Sequence, residues 1–532
     1  MMTHSLLILG SNDRAALSFV RSVDINLVKN IHILRSTKNK QAACYSNKVN
    51  SSDYISLDCV EKAIVDLKSY ILHSKIKYLV CIDDNFSELV YQYYDDISSL
   101  VTILGPSLDS YLFAKDKLRI RELCDSKVLL YPDTLVIDNL GDEKEVINYD
   151  YFKTRFSAKV IGSKIFRYSV KHLLCDRKKS NYIRDHISNN NILCQKKIDG
   201  EIIGLNVLAF EGEVYSVSVN ERIHQPKGGG GSSYRKSMPV DDQLVNIAKH
   251  VSTQLNWSGV MMIELLKSKD KLYIVEINPR FWGSLSLTIF SGHDVVNNLL
   301  RLYIGLPLIK DNFRSVHTRH LFKDIVWLVK NFSVNNVIDF VNSPINVMKN
   351  LEKYDVESFT DPLPSICQIY IKLSEKLNSR EYVFAKLLGR IPIKREVINS
   401  YDINHQYVFL CKGNVNRSAF AHFYLKSKGY SNVDSAGYLD LPDRKFSHEM
   451  FQLAKFNCLN VDDHASKHLS AIKDKSIKVV AMDAVSYEIS KSFGFVNTFM
   501  FSSTGIKDPH GESMADFSIV VEEIINEISK KI

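Results

Sequence analysis

The chain has 532 residues, of which 45% are hydrophobic and 24% are charged, and its formal net charge is +8. This length exceeds what one hydrophobic core usually supports, so we expect several domains of ordinary globular composition. From residue 403 onward, 15 Lys and Arg balance 15 Asp and Glu. The modest basic excess is therefore spread over the first 400 or so residues, which is not the concentrated patch of a nucleic-acid-binding protein.

The first apolar run, Leu6–Leu9, is too short for a signal peptide or a membrane span and predicts a β-strand instead. Nine scattered cysteines without C-x-x-C spacing argue against a disulfide scaffold and against a structural zinc site. We therefore expect a cytoplasmic enzyme in a reducing compartment, with no membrane or nucleic-acid partner.

Residues 1–105 predict a small α/β domain, because buried apolar runs alternate with helical patterns. The predicted parallel strands are Leu6–Leu9, Ile31–Leu34 and Tyr78–Ile82, and the predicted helices are Ser11–Val23 and Val60–His73. The glycine fingerprint of dinucleotide binding does not follow the first strand, so no NAD site is expected.

A second domain is predicted over residues 106–310. It begins near Gly105-Pro106-Ser107, continues with a helix around Asp116–Cys124, and contains an antiparallel sheet between Asn191 and Asn278. Residues 311–402 predict a helical extension and linker, in which charged residues interrupt the apolar runs and favour surface helices.

Two strands of this second domain, Gly259–Leu266 and Leu272–Asn278, predict a β-hairpin. With the turn near Asp270, Glu264 lies opposite Glu276, and Asn278 shares the face of Glu276. Two facing carboxylates in apolar strands repel each other unless a divalent cation lies between them, and oxygen ligands suit magnesium. The alternative is a pair of edge strands with solvated glutamates.

The strand Tyr407–Leu410 opens a final domain over residues 403–532 and leads into a cysteine, five further residues and an arginine at a helix start. Such a loop can form an anion cradle from backbone N–H groups and the helix N-terminus, which favours the thiolate form of Cys411. Arg417 offers a planar fork for two phosphate oxygens, and the Ser418 hydroxyl can donate to the thiolate. The other residues of the loop are Lys412, Gly413, Asn414, Val415 and Asn416. A general acid is also required, and Asp508 in a loop bounded by Gly505 and Pro509 is well placed to supply it.

Residues 403–532 resemble the low-molecular-weight protein tyrosine phosphatase family. The resemblance includes Ser435-Ala436-Gly437, Asp463-His464-Ala465-Ser466, Val479–Asp483 and Asp508-Pro509. It implies that Cys411 is the nucleophile, Arg417 binds phosphate and Asp508 is the general acid, while Asn414 and Ser418 shape the loop. Asn416 and His510 depart from the family, where a second cysteine and an aromatic residue are usual. The substrate is therefore left open between a phosphomonoester and phosphotyrosine.

The chain from about residue 1 to 310 resembles the ATP-grasp superfamily, in its carbamoyl-phosphate-synthetase-like branch of carboxylate–amine ligases. The resemblance lies in Asp116-Lys117, Lys153–Ser157, Cys194–Glu201 and Glu276–Arg280. It implies ATP and Mg²⁺ as cofactors, with Mn²⁺ as an alternative metal. Its implied roles are Lys117 and Lys153 on phosphates, Gln195, Lys196 and Ile198 around adenine, Glu201 on ribose, Glu264, Glu276 and Asn278 on the metal, and Arg280 on the acyl-phosphate transition state. Lys159 and Lys164 are alternatives to Lys153, and the glycine-rich run Pro226–Ser233 is either a phosphate-covering loop or a plain connection.

The sequence thus predicts an α/β multidomain chain: an ATP-grasp fold followed by a phosphatase domain with a central parallel sheet and flanking helices. The predicted function is bifunctional. One half would ligate a small-molecule carboxylate to an amine or another nucleophile through an acyl phosphate, and the other would hydrolyse a phosphomonoester or phosphotyrosine. Two alternatives remain: a phosphotyrosine phosphatase alongside a ligase for sugar acids, and a nucleotide-sensing ATP-grasp module that regulates the phosphatase. The sequence does not specify an oligomeric state.

Overall fold

The computed structural model describes residues 4–12, 14–124, 129–138, 146, 148–168, 170–173, 176–187, 191–225, 231–371, 388–389, 395–439 and 443–532. The chain forms two compact units, Met1–Ile369 and Tyr370–Ile532. No helix within these described ranges is long and apolar enough to cross a bilayer.

The first unit begins with a parallel five-stranded sheet of order β3-β2-β1-β4-β5. Its strands are β1 (Ser5–Leu9), β2 (Asn30–Arg35), β3 (Ser51–Tyr54), β4 (Tyr78–Cys81) and β5 (Thr102–Ile103). Its helices are α1 (Ala15–Ser22), α2 (Val60–His73), α3 (Asp84–Gln92) and α4 (Tyr94–Ser98), with a 3₁₀ turn at Ala42–Tyr45. The predicted strands and helices are confirmed, except that α1 starts later than Ser11. The reason is the Asn12 side chain, which accepts hydrogen bonds from the backbone N–H groups of Arg14 and Ala16 and so shapes a loop before the helix.

The helix predicted around Asp116–Cys124 is wrong in position. The α-helix here is α5 (Leu108–Lys115), and only a 3₁₀ turn follows it, at Arg119–Leu123. Asp116 ends α5, because its carboxylate accepts from the backbone N–H groups of the next turn and pairs with Arg155 at 2.6 Å. Lys117 therefore lies in a connection rather than inside a helix.

The rest of the first unit is built mainly on antiparallel sheets. The remaining strands are β6 (Leu129–Leu130), β7 (Thr134–Ile137), β8 (Tyr151–Thr154), β9 (Ala158–Ile161), β10 (Lys164–Arg167), β11 (Lys171–His172), β12 (Ile192–Gln195), β13 (Glu201–Phe210), β14 (Glu213–His224), β15 (Tyr234–Met238), β16 (Gly259–Ser268), β17 (Lys271–Asn278), β18 (His317–Arg319) and β19 (Glu352–Tyr354). They form a β10-β9 ribbon, a four-stranded sheet β11-β8-β12-β7 and an eight-stranded sheet β19-β18-β15-β14-β13-β16-β17-β6. The accompanying helices are α6 (Asp176–His186), α7 (Asp242–Gln254), α8 (Leu285–Phe290), α9 (Val295–Ile304), α10 (Leu321–Lys330) and α11 (Val334–Met348).

The predicted helical extension is partly integrated into the large sheet. Helices α10 and α11 are confirmed, but β18 and β19 on either side of them continue the sheet of the preceding domain. Arg319 on β18 is fully buried and pairs with Asp324 on α10, with Asp339 on α11 at 2.7 Å and with Glu352 on β19 at 2.7 Å. This network fixes both helices to the sheet. Residues 372–387 and 390–394, which the sequence places in the extension and linker, lie outside the described residues.

The second unit contains a parallel four-stranded sheet of order β21-β20-β22-β23. The strands are β20 (Tyr407–Cys411), β21 (Val433–Gly437), β22 (Lys478–Ala481) and β23 (Thr498–Met500), and the helices are α12 (Arg417–Ser427), α13 (His448–Phe456), α14 (Ala484–Ser492) and α15 (Met514–Ser529). Apolar residues of the sheet, α12, α13 and α15 form its main core. The predicted parallel sheet with flanking helices is confirmed.

Candidate functional site

Two glutamates face each other on adjacent strands of the large sheet. Glu264 on β16 pairs directly with Glu276 on β17, as the sequence predicts. The pairing from the turn is regular as far as Leu265, which lies opposite Ile274. Val275 is then an extra residue on β17, and this bulge brings Glu276 opposite Glu264. If the same residues were paired regularly past Leu265, Val275 would lie opposite Glu264, and the side chain of Glu276 would point to the other face of the sheet.

The surroundings of this pair favour a nearby cation. Burial raises the pKa of Glu264, and the charge of Glu276 raises it further. Burial also opposes ionisation of Glu276, but the ammonium groups of Lys117 and Lys153 outweigh it and hold the Glu276 pKa below its usual value. Asn278 donates an amide hydrogen bond of 3.1 Å to Glu276. Glu276 is thus held ionised, and Glu264 becomes ionised most readily beside a positive charge.

The donor set suits a hard divalent cation. Glu264, Glu276 and the amide oxygen of Asn278 offer oxygen atoms alone, which is the chemistry that Mg²⁺ prefers. No group of three or more His, Cys, Asp or Glu side chains that could hold a metal occurs in the described part of the chain. A cation here would therefore depend on two carboxylates, one amide, and further oxygens from water or a bound ligand.

Two buried lysines flank the carboxylate pair. Lys117 donates to the Ser157 hydroxyl at 2.5 Å, and Lys153 donates to the carbonyl of the bulge residue Val275 at 3.1 Å. Burial lowers the pKa of Lys117, and burial together with Lys117 lowers the pKa of Lys153 to about 7. An anionic ligand beside them would restore their positive charge, which is the electrostatic setting expected of a phosphate site. Ser157 was not predicted.

A cavity of about 820 Å³ adjoins the pair, within the size range of small-molecule sites. Glu264, Lys153 and Arg280 line it, whereas Glu276, Asn278 and Lys117 line a second, water-sized cavity beside it. Lys159 and Lys164, the alternatives to Lys153, lie on the β9–β10 ribbon and line neither cavity.

The predicted adenine segment also borders the large cavity. Gln195, Lys196 and Ile198 all line it, and the Gln195 amide donates to the Thr134 hydroxyl at 2.8 Å. The ammonium of Lys196 pairs with Asp133 at 2.6 Å. Glu201 is exposed at the start of β13 and is not among the lining residues.

Arginines that the sequence analysis did not single out complete the lining. Arg222 pairs with Glu264 at 3.2 Å, and Arg14 donates to the Ser232 carbonyl at 2.8 Å. Arg280, which was predicted, forms an ion pair with Asp84 at the start of α3. Arg14 and Asp84 each follow a strand of the parallel sheet, and ligands of such sheets bind at the carboxyl ends of the strands. That rule could have identified both residues.

The glycine-rich run is only partly described, because residues 226–230 lie outside the described ranges. Gly231 and Ser232 line the large cavity. A Cβ on Gly231 would come within 2.5 Å of a guanidinium nitrogen of Arg14, so a larger residue here would require the end of the Arg14 side chain to move.

In the second unit, Cys411 ends the buried strand β20 and faces the first turn of α12. The Ser418 hydroxyl donates to the Cys411 sulfur at 3.0 Å, and the Asn414 amide donates to the Ser418 hydroxyl at 3.2 Å. Asn414 has a φ of +53°, which asparagine tolerates better than most residues. A Cβ on Gly437 would lie 2.9 Å from the Asn414 nitrogen, so the loop and β21 pack closely only because position 437 is glycine. The remaining loop residues, Lys412, Gly413, Val415 and Asn416, connect the cysteine to the helix.

Arg417 begins α12 and is held by three groups. Its guanidinium donates to Asp483 at 2.8 Å and to the carbonyl of Ile506 at 2.6 Å. The carboxylate of Asp508 lies 3.3 Å from it. The structure therefore brings the predicted clamp and the predicted acid together. Asp483 also caps α14 by accepting from Ser486, and it was not predicted as part of the site.

The loop also contains polar atoms with no partner among the described residues. The Nε atom of Arg417 and the side-chain oxygen of Asn416 are buried without a hydrogen bond. Buried groups of this kind usually have a partner, and a bound oxyanion would satisfy the arginine.

Two family models match the chain. The model of the ATP-grasp domain matches residues 174–284, and the model of low molecular weight phosphotyrosine protein phosphatase matches residues 406–531. The first match contains Gln195, Glu264, Glu276 and Arg280, whereas Lys117 and Lys153 precede it.

One curated relative is a tyramine–L-glutamate ligase of Methanocaldococcus jannaschii, 26% identical over 96 residues. The match covers 18% of this chain and 31% of that protein, so the chain spans about a third of the relative's length. Among solved structures, an L-amino acid ligase of Bacillus licheniformis aligns over 60% of this chain and 79% of its own, with 14% identity and a TM-score of 0.47. An N5-carboxyaminoimidazole synthetase of Staphylococcus aureus aligns over 62% of this chain and 86% of its own, with 14% identity and a TM-score of 0.45.

Proposed function

We propose that this chain, which contains an ATP-grasp domain followed by a low-molecular-weight phosphatase domain, catalyses both reactions that these domains indicate. The first unit would be an ATP- and Mg²⁺-dependent ligase that joins a small-molecule carboxylate to an amine or another nucleophile. The second would be a cysteine-dependent phosphatase. The observation that carries the first proposal is the facing pair Glu264 and Glu276, and the hydrogen bond from Ser418 to Cys411 carries the second.

In the ligase reaction, the carboxylate substrate would attack the γ-phosphorus of ATP, giving an acyl phosphate and ADP. Mg²⁺, or Mn²⁺ in its place, would neutralise phosphate charge, and Glu264, Glu276 and Asn278 are the residues that would hold it. Lys117 and Lys153 would bind the phosphate oxygens, and Arg280 would stabilise the charge that develops on the transferred group. Attack by the amine on the acyl carbon would then form the amide and release phosphate.

The adenine would bind beside Gln195, Lys196 and Ile198, which lie at the end of the cavity formed by β12 and the segment after it. Glu201 would contact ribose only if its segment moved toward the cavity, because its side chain is exposed in this structure. Lys153 is favoured over Lys159 and Lys164 as the phosphate ligand, because Lys153 alone of the three lines the cavity.

ADP release across a panel of carboxylic acids and amines tests the ligase. ADP should form only when an acid and an amine are both present with Mg²⁺. ATP binding without ADP formation under any combination would instead favour the alternative in which the first unit only senses nucleotide. Mass spectrometry of a metabolite extract incubated with ATP would identify the product, with Glu276→Gln as the inactive comparison.

In the phosphatase reaction, the Cys411 thiolate would attack phosphorus and displace the alcohol oxygen, to which Asp508 would transfer its proton. Arg417 would bind two oxygens of the transferred group, and Ser418 would stabilise the thiolate when it leaves. Asp508, now ionised, would take a proton from water as the water attacks the phosphocysteine, releasing phosphate and regenerating the thiolate. Rapid acid quenching with a ³²P-labelled substrate tests this route, since Asp508→Ala should accumulate labelled protein and Cys411→Ser should not.

The rim of this site favours a small anionic phosphomonoester over a phosphotyrosine protein. Three residues near the nucleophile and the acid, Lys412, Lys507 and His510, are exposed and polar. The single ring among these three is the His510 imidazole, which is smaller and more polar than a phenyl or phenol ring. Lysines at the rim would instead attract a second negative charge on the substrate. A higher kcat/KM for phosphorylated carboxylic or sugar acids than for phosphotyrosine peptides would support this substrate class, and the reverse order would favour the regulatory phosphatase.

A shared pathway is the simplest reason to join the two activities in one chain. The ligation product, or its precursor, would carry the phosphate that the second unit removes. The hypothesis fails if the ligation product and the preferred phosphatase substrate prove chemically unrelated.

A further inference from the structure

Helix α11 has a buried side and an exposed apolar side. Its inner side lies toward the sheet, where Ser343 is buried and hydrogen-bonded to Glu352 and Tyr354. Its opposite side carries a row of apolar residues that we call the outer stripe: Val334, Ile338, Val341, Ile345 and Met348. Steps of 4, 3, 4 and 3 residues keep all five on one line along the helix. The fold therefore fixes α11 so that the outer stripe faces away from the sheet.

The outer stripe is exposed along its whole length. Relative exposure ranges from 52% at Ile345 to 83% at Met348. Single exposed apolar residues are normal on a protein surface, but an aligned row of five on one short helix is not.

Helix α10 adds to this surface. Ile325, Val326 and Val329 on α10 and Phe332 just after it are also exposed. The two helices are held beside each other by Arg319, which pairs with Asp324 on α10 and Asp339 on α11. With about 150–200 Å² for a fully exposed large side chain, these nine residues together present about 850–1,100 Å². The largest apolar patch of a typical monomer is about 300–600 Å². The area of the nine residues matches the roughly 800 Å² that each partner buries in a standard interface.

The charge of the surface indicates which partner it fits. Helix α11 contains no Lys or Arg, and its single acid, Asp339, is paired with Arg319. A helix that lies on an anionic membrane usually carries basic residues on its polar face, so α11 is a poor membrane anchor. The outer stripe itself carries no charge and can face a copy of itself without repulsion, while α10 adds the exposed Lys323 and Lys330 beside it. The alternating 4-and-3 spacing is the seam by which two helices pack together.

We propose that the outer stripe and the exposed residues of α10 form the interface of a homodimer. In a two-fold dimer, α11 would cross the same helix of the second copy near its centre, at Val341, where the stripe is self-complementary. This inference does not depend on the proposed reactions.

Molecular mass in solution tests the proposal, by light scattering or sedimentation of the full chain at about 1–50 μM, because interfaces of standard area have dissociation constants in the μM range or below. The test variant is Val341→Glu. Its matched control is Val65→Glu on α2, because Val65 is the same residue type with nearly the same exposure, 63% against 65%. We expect a dimer for the wild type and for Val65→Glu, and a monomer with an unchanged thermal unfolding midpoint for Val341→Glu.

Each other outcome overturns the proposal. A monomeric wild type would mean that the stripe is covered within one chain or by another kind of partner, and flotation with phosphatidylcholine–phosphatidylserine vesicles would identify a membrane surface. A dimer that persists in Val341→Glu, and also in Ile338→Lys, would place the interface elsewhere.

Cross-linking provides a second measurement that does not require dissociation. Val341→Cys should form an intermolecular disulfide under mild oxidation, because a residue near a two-fold axis meets its own copy. Val65→Cys, with the same native cysteines, should not. Equal cross-linking of both variants would contradict the proposed geometry.

Discussion

The two candidate sites are built in different ways. The candidate phosphatase site comes mainly from one strand–loop–helix segment, in which Cys411 and Ser418 are seven positions apart. The candidate ATP site collects residues from Arg14 to Arg280, and these come from separate sheets of the first unit. A local site is fixed by the conformation of one loop, whereas a dispersed site depends on strand register and on how domains pack. Substitutions should therefore act sharply and independently at the first site and more gradually at the second.

The largest effect is expected for Cys411→Ser. Loss of the nucleophile should lower phosphatase kcat by about 10⁴- to 10⁶-fold, because a serine hydroxyl in this loop lacks a base to activate it. ADP formation by the first unit should be unchanged, since the two sites share no residue. Steady-state assays of both activities on one preparation provide the measurement, and retention of more than a tenth of the phosphatase activity would contradict the proposed nucleophile.

The next effect is expected for Glu276→Gln, which removes one charge of the carboxylate pair while keeping its shape. ADP formation should fall by about 10²- to 10³-fold, as when one stabilising group of a transition state is lost. Glu213→Gln is the control, because Glu213 is exposed at the start of β14 and does not line the cavity. It should stay within about 3-fold of the wild type, the scale of a surface substitution. Equal losses in both variants would show that the facing pair has no special role.

A smaller effect is expected at the lysines. Lys153→Met should raise the KM for ATP by about 10- to 100-fold, the value of a hydrogen bond to a charged group. Lys159→Met and Lys164→Met should leave it nearly unchanged, because neither residue lines the cavity. A rise at Lys159 or Lys164 instead would transfer the phosphate role to the β9–β10 ribbon.

The smallest effect concerns the stability of the second unit. Burial lowers the pKa of His422 on α12 to about 4, so the folded state binds a proton there more weakly than the unfolded chain does. Above pH 6.5, the ordinary histidine value, His422 is neutral in both states and the folded state has its full stability. As the pH falls toward 4, the unfolded state binds a proton at this residue first, and the free energy of unfolding decreases. The size of this decrease should be about 2 kcal/mol after allowance for partial exposure.

Thermal unfolding of the second unit between pH 7 and pH 4 measures this contribution. His422→Gln should flatten the decline relative to the wild type, and His510→Gln, at an exposed position, should not. An unchanged slope in His422→Gln would mean that other groups cause the acid sensitivity.

The sequence was most informative where function lies in consecutive residues. Cys411 ends a buried strand, Arg417 starts a helix, Asp508 lies beside Arg417, and Glu264 faces Glu276, as the sequence predicts. The chemical roles of these residues stay predictions. The hairpin shows what the pattern does not reveal. The expected turn centre at Asp270 gave the correct pairing of Glu264 with Glu276, but the centre of the turn lies between Lys269 and Asp270. The pairing is correct because the extra residue Val275 shifts the register of the remaining pairs. Alternation of apolar residues does not reveal such a bulge.

Residues brought in by packing between distant segments were not predicted. Arg14 and Asp84 follow strands of the first sheet; Arg14 lines the large cavity, whereas Asp84 lines the small one and pairs with Arg280. Asp483 reaches Arg417 only because β22 lies beside β20. The helix predicted at Asp116 was wrong because the Asp116 carboxylate accepts hydrogen bonds from the backbone N–H groups that follow it. These bonds compete with the α-helix, and the spacing of apolar residues does not reveal them. The pattern of apolar residues along the sequence thus does not determine the order of strands in a sheet, nor which side chains form hydrogen bonds with the backbone in place of a helix.

The bulge at Val275 also has a consequence for how this hairpin can change in length. Deleting Val275 would make the ladder continuous and would keep Glu276 opposite Glu264, but it would remove the carbonyl that accepts from the Lys153 ammonium. Residues added at the hairpin tip, by contrast, would lengthen only the connection between the strands. Deletion of Val275 should therefore loosen the position of Lys153 while the two carboxylates still face each other, and insertions at 269–270 should leave both features in place.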